Sequence, residues 1–222
     1  MAESRWSCVL WDVDGTIADA SAGILPRIAR VLDEMGLPAT PSDQVRRWIG
    51  PPMLDSFQEI AGLSPELATR AVARYRALAG EEGYANSVRL YDRVTDVIRD
   101  VHDAGIPQST ASTKPGNQVE AIFAHFGITD QFVSIHGAIP DADVLDTKAA
   151  VLGRALADLR ERGVDTSRPV LIGDRHHDVD GAAEHGVPVI FARWGFGSPE
   201  EEAGSIAAAD TPDDLRALLL GG

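Results

Sequence analysis

The sequence predicts a doubly wound α/β fold with a parallel sheet, and three observations predict it. Short apolar runs that end in polar residues recur at wide intervals, amphipathic segments lie between them, and Gly105, Gly127, Gly163 and Gly186 follow those segments where a helix C-cap belongs. Sheets of this class bind ligands beyond the carboxyl ends of their strands, so the polar residues that end each run are the ones to weigh.

The first run, residues 6–11, ends at Asp12. Residues 17–87 then break the alternation and read as helices only: 21–35, 42–48, 53–60 and 65–79, separated by Gly36-Leu37-Pro38, Gly50-Pro51-Pro52 and Gly62-Leu63-Ser64-Pro65. This is a helical cap inserted into a core made of residues 1–16 and 88–222. The alternation resumes with a helix at 94–104, a strand at 106–111 that precedes Ser112, and a helix at 116–126. A strand at 132–135, a helix at 147–162 and a strand at 170–172 before Gly173-Asp174 follow. A helix at 178–185 and a strand at 187–191 come next. Residues 200–209, with three consecutive glutamates, read as a solvated loop, and 211–220 as a terminal helix capped by Thr211 or Asp213.

Composition narrows the function. The 222 residues carry 34 acidic and 20 basic side chains, a net charge of −14, which repels nucleic acid and anionic membranes at long range. No stretch approaches the ~20 apolar residues that span a bilayer, and the single cysteine, Cys8, excludes an intramolecular disulfide or a cysteine metal cluster. A cytoplasmic protein acting on a small molecule, as a monomer or a homodimer, is expected. A small anionic substrate would need a local positive site.

Asp12 and Asp14 lie two residues apart at a strand end, so both carboxylates can face one crevice. Asp174 and Asp178 form a second pair one helical turn apart. Oxygen-only carboxylate sets suit Mg²⁺. His176 and His177 between the second pair would suit zinc, but the oxygen ligands outnumber them. Of the 20 basic residues only Lys114 and Lys148 are lysines, and both flank predicted strand ends, where a compact ammonium differs from arginine's planar fork.

These residues, in the order Asp12-Val13-Asp14-Gly15-Thr16, Ala111-Ser112-Thr113-Lys114-Pro115, Lys148 and Gly173-Asp174-Arg175-His176-His177-Asp178, resemble the haloacid-dehalogenase-like hydrolases over nearly the whole chain. The helical insert, Ile49-Gly50-Pro51-Pro52-Met53 and Trp194-Gly195-Phe196-Gly197-Ser198 resemble the phosphoglycolate phosphatase-like branch. The resemblance implies an aspartyl-phosphate formed on Asp12, with Asp14 as general acid and base and Lys148 neutralising charge. It implies Mg²⁺ held by Asp12, Asp14 through its carbonyl, Asp174 and Asp178. Thr16, Ser112, Thr113 and Lys114, with Arg47 and Gly50 from the cap, are the expected contacts to the phosphate and the rest of the substrate, and Arg46 and Trp48 flank that cap loop. Asp141, Asp143 and Asp146 read as surface acids.

The chain departs from the family pattern at Ala20, Thr113 and Thr147, and the last removes an arginine often found beside the motif lysine. The resulting expectation is a Mg²⁺-dependent phosphatase acting on a small phosphorylated metabolite. A phosphomutase of the same superfamily and a phosphoaccepting receiver-type signalling domain are the alternatives. Receivers lack the helical insert.

Overall fold

The computed structural model describes residues 5–142 and 144–221. β1 (Cys8–Trp11) is fully buried, and a two-residue strand β2 (Ala18–Asp19) leads into α1 (Ser21–Glu34), α2 (Met53–Glu59) and α3 (Pro65–Glu82). β3 (Arg89–Leu90) pairs antiparallel with β2, so a short ribbon carries the chain both out to these helices and back. α4 (Val94–Asp103), β4 (Gln108–Thr110), β5 (Ser112–Pro115), α5 (Gly116–Phe126), β6 (Gly137–Ala138) and α6 (Lys148–Glu161) follow. The chain ends with β7 (Pro169–Gly173), α7 (His176–Ala183), β8 (Val189–Ala192), β9 (Ala207–Ala209) and α8 (Pro212–Leu220).

The main sheet is parallel, in the order β4-β1-β7-β8-β9. Alternate residues of its strands sort into two apolar layers. Cys8, Leu10, Leu171, Val189 and Phe191 pack with Leu152, Leu156 and Leu159 of α6. Val9, Trp11, Val170, Ile172 and Ile190 pack on the other face with Val97 and Ile98 of α4 and Leu215 and Leu219 of α8. This is the period-two sorting that makes each strand read as a continuous apolar run when both faces are covered. Trp11 fits its layer because its indole N–H reaches Gln108 Oε1 at 2.9 Å.

Helix starts follow their capping chemistry. Ser64 accepts from the Leu67 N–H ahead of Pro65, Thr211 accepts from the Asp214 N–H, and Thr147 accepts from the Ala150 N–H at 3.2 Å, which begins α6 at Lys148. Among the described residues no helix is long and apolar enough to cross a membrane.

Four expectations need correction. Residues 42–48 are not an α-helix: only a 3₁₀ turn forms at Val45–Trp48, ended by the Gly50-Pro51-Pro52 run. Residues 132–135 make a single bridge, Ser134 to Ser109, because side chains replace the ladder: Thr110 Oγ1 both donates to the His136 carbonyl and accepts from its N–H. The supposed solvated loop at 200–209 contains β9, which closes the sheet edge against β8. Asp146 is buried, not a surface acid, since Arg154 and the Ile139 N–H (2.8 Å) satisfy its oxygens; Asp143 lies outside the described residues.

Candidate active site

The carboxyl ends of β1 and β7 are adjacent, and each releases an aspartate into the same space: Asp12 follows Trp11, and Asp174 follows Gly173. Asp178 joins them from the first turn of α7, where its Oδ2 accepts the backbone N–H groups of Asp174 (3.1 Å) and Arg175 (3.0 Å). One carboxylate oxygen from each of Asp12, Asp174 and Asp178 lies within 4.8 Å of the others, and all three residues are buried.

Lys148 enters this group from the start of α6. Its Nζ lies 2.6 Å from Asp12 Oδ1 and 2.7 Å from Asp178 Oδ1, and donates to the Ala111 carbonyl at 2.7 Å. Against the cost of burial, Asp12 and Asp178 hold its pKa above the ordinary lysine range. One ammonium does not balance three carboxylates. Burial pushes the Asp12 carboxyl upward, with Lys148 opposing, and burial together with the charges of Asp12 and Asp178 pushes Asp174 well above the usual carboxylate range. Three buried carboxylates gathered beside a single ammonium fit a hard divalent cation, and Asp12, Asp174 and Asp178 are the side chains that would hold it.

The protein is shaped around Asp174. Its Oδ1 accepts from Thr16 Oγ1 at 3.1 Å and its Oδ2 from the Phe196 N–H at 2.8 Å. Gly15 has a φ of +95°, and a Cβ there would fall 2.1 Å from Asp174 Oδ2, so this position requires glycine twice over. The Thr16 hydroxyl therefore braces a carboxylate, where the motif suggested a phosphate contact.

Asp14 turns away from the triad. Its Oδ2 meets Lys114 Nζ at 2.9 Å, while its buried Oδ1 has no hydrogen-bond partner. Burial raises the Asp14 carboxyl, with Lys114 opposing, and Asp14 holds the buried Lys114 ammonium above its ordinary value. The two surviving lysines thus each serve one aspartate of the first motif. Ser112 is buried at the start of β5, where its Oγ accepts the Lys114 N–H at 3.3 Å.

A cleft with about 630 Å³ of empty space, its open mouth included, lies between the helical insert and the core. Asp14, Lys114 and Thr113 line it from the core, and Trp48, Gly50 and Tyr75 from the insert. Thr113 Oγ1 donates to the Gly50 carbonyl at 2.7 Å, and the Arg175 guanidinium donates to the Ile49 carbonyl, so two core residues hold the 49–50 loop over the site. Thr113 is thus a tether for the loop. Arg46 also reaches the core, donating to the Gly195 carbonyl at 3.1 Å beside the Phe196 ring. Arg47 departs from expectation: it lines a separate cavity with Asp55, Glu59, Arg175, His176 and His177. His176 is held by Glu201 at 2.8 Å, and burial beside His176 and Arg175 lowers His177 to a pKa of about 4; neither ring joins the three carboxylates. The tether role of Arg175 is not legible in sequence, because its partner lies 126 residues away.

The profile of the haloacid dehalogenase-like hydrolase family matches residues 9–192. The chain is 34% identical over 215 residues to the tyrosine-protein kinase PtkA of Mycobacterium tuberculosis, covering 95% of this chain and 72% of that protein. It is 30% identical to a phosphoglycolate phosphatase of Cupriavidus necator, covering 96% and 93% of the two chains. Among solved structures, a predicted phosphatase from Clostridium acetobutylicum superposes with a TM-score of 0.87 at 28% identity, covering 96% and 97%. With strand-end aspartates, a lysine between them and a helical insert over the cleft, this chain belongs to the haloacid dehalogenase-like hydrolases.

Proposed function

We propose that this protein is a Mg²⁺-dependent phosphatase that hydrolyses a small phosphomonoester through an aspartyl-phosphate on Asp12. The observation that carries the reading is Lys148, set between Asp12 and Asp178 beside a buried carboxylate triad, while Asp14 is held apart on Lys114. In this reading residues 17–87 act as a cap on a core of 1–16 and 88–222. The enzyme works in the cytoplasm as a monomer or homodimer, and its charge of −14 sets nucleic acid aside as a partner.

The chemistry follows from the two aspartate environments. Lys148 favours the ionised form of Asp12, whose carboxylate oxygen attacks phosphorus as the bond to the leaving oxygen breaks. Asp14, which lines the cleft with its Oδ1 free of other partners, gives a proton to that oxygen. The deprotonated Asp14 then takes a proton from water, which attacks the same phosphorus and releases inorganic phosphate and free Asp12. Ser112 and the nearby backbone hold the phosphoryl oxygens. Bound Mg²⁺ would supply positive charge against the phosphate anion.

Phosphate release from an aryl phosphate in the presence of Mg²⁺ tests the reading, and Asp12→Asn should lower it about 10³-fold or more. Undiminished release by that variant would reject the mechanism. The name of the mycobacterial relative supports a second reading, transfer of phosphate to a tyrosine hydroxyl. Incubation with γ-labelled ATP and tyrosine-containing protein separates the two: labelled phosphotyrosine favours transfer, free phosphate from monoesters favours hydrolysis.

A further inference from the structure

Among the described residues, the only buried side-chain nitrogens without a hydrogen-bond partner are Nε and Nη1 of Arg76. Arg76 sits in α3 and lines the cleft that Asp14 and Lys114 line from the core. Its neighbours do not explain it. The other charged groups of the cleft are matched: Lys114 by Asp14, and Asp146 by Arg154 and the Ile139 N–H. Asp141 attracts Arg76 through space without a hydrogen bond to those two nitrogens, and burial still dominates, disfavouring the charged guanidinium. Arg76 as a whole is half-buried, but two guanidinium donors shut off from water and left unmatched are costly, and arginine's planar fork is suited to a bidentate anion.

The cleft's other unmatched buried polar atom is Asp14 Oδ1, on the opposite wall. One atom is placed to serve the leaving oxygen, and the guanidinium to serve something further out. We infer that Arg76 determines substrate choice by binding a second anionic oxygen group, a carboxylate or a phosphate, on the leaving alcohol of the ester. Ile24, Trp48, Met53 and Leu54 line the same cleft and offer apolar contact to the rest of the leaving group. The missing arginine beside Lys148 is thereby offset by one from the cap.

The inference rests on the phosphatase reading, and its test separates the two. Wild type, Arg76→Gln and Arg76→Lys are assayed with Mg²⁺ on three phosphate esters of similar size, whose leaving alcohols carry a carboxylate, a second phosphate or a neutral hydroxyl. The wild type should prefer one of the charged esters to the neutral one by at least ~10-fold in kcat/KM, and which one it prefers identifies the anion. Arg76→Gln should cut that preference by about 10–100-fold, the worth of a charge-assisted hydrogen bond, mostly through KM. Arg76→Lys should restore part of it. Equal use of all three esters by wild type, or an unchanged preference in Arg76→Gln, overturns the inference.

If wild type hydrolyses none of them, the phosphatase reading fails and binding decides the rest. A phosphonate bearing a carboxylate, titrated calorimetrically, should bind Arg76→Gln at least ~10-fold more weakly than wild type. Equal affinity rejects the role of Arg76. Thermal unfolding should find both variants at least as stable as wild type, because the two unmatched buried donors are removed; should Arg76→Gln fail to fold, Arg76→Lys carries the comparison, with at least a ~5-fold fall in preference expected.

Discussion

Lys148 and Asp12 meet at 2.6 Å across 136 residues of chain, both buried, and the same ammonium lies 2.7 Å from Asp178. One side chain therefore couples the end of β1, the start of α6 and the first turn of α7.

Removing that ammonium leaves the carboxylates facing one another. Lys148→Met should abolish phosphatase activity and, without metal, destabilise the fold by about 3–5 kcal/mol, as expected when one partner of a buried pair is lost. Lys148→Arg should not rescue turnover, because a planar fork does not fit where a compact ammonium touches three oxygens. Urea denaturation and phosphate release check both statements.

Mg²⁺ should stabilise the protein, by about 2.7 kcal/mol at a hundred times its dissociation constant. The effect depends on pH in a defined direction. Asp12 and Asp174 have folded-state pKa values raised above their unfolded ones, so without metal the folded state binds more protons, and stability falls as pH rises upward from the ordinary aspartate value near 3.8. Mg²⁺ displaces those protons, and its stabilisation should grow over the same range. Thermal melts with Mg²⁺ or with chelator, from pH 5 to 8, measure it; a Mg²⁺ effect independent of pH, or one retained in Asp174→Asn, would contradict the assignment.

The 49–50 loop hangs on two core residues. Thr113→Val removes the donor to the Gly50 carbonyl and should cost about 1 kcal/mol of closure. Arg175→Met removes the contact to the Ile49 carbonyl and also the 2.8 Å ion pair to Glu201. Both variants should raise KM and speed amide exchange in the segment around residues 45–53, the arginine change more strongly. Unaltered exchange there would show that the loop is held by other contacts.

Glu201 gives a stability prediction with the opposite pH sense. Despite the opposing effect of burial, Arg175 and His176 hold its pKa at about 2, below the usual glutamate value of 4.5. Its contribution is fully present above pH 4.5 and is lost as pH falls towards 2. Glu201→Gln should be less stable than wild type by ~1–3 kcal/mol at pH 7, with the gap narrowing below pH 4.5. A gap that stays constant to pH 3 would mean that Glu201 acts only through packing.

Cys8 lies in the middle of β1 with no exposed surface, and burial pushes its thiol up to about 11. It should resist alkylation at pH 8 in the folded protein and react at once in denaturant. Mass spectrometry after a timed reaction with iodoacetamide reads the difference.

Local chemistry made much of this protein legible from sequence alone. Apolar runs bounded by Asp12, Ser112 and Asp174 mark buried strands, because a parallel strand covered on both faces has no polar alternation to hide it. Capping residues and glycines marked the helices for the same local reason, and Asp12, Asp14, Lys148, Asp174 and Asp178 stood out as acids and a rare lysine at strand and helix ends. Tertiary structure alone decided which side chain meets which. Asp14 pairs with Lys114 and not with the triad, Thr16 braces Asp174, and Thr113 and Arg175 tether the cap. Ala207–Ala209 becomes a strand only because β8 offers an open edge, which no propensity in three alanines announces. Arg76 is one of eighteen arginines in sequence and becomes exceptional only once α3 is laid over the cleft, where its neighbours leave two donors unmatched. The periodicity of a chain records which side chains leave water; which of them are left without a partner depends on distances between residues that the chain order keeps far apart.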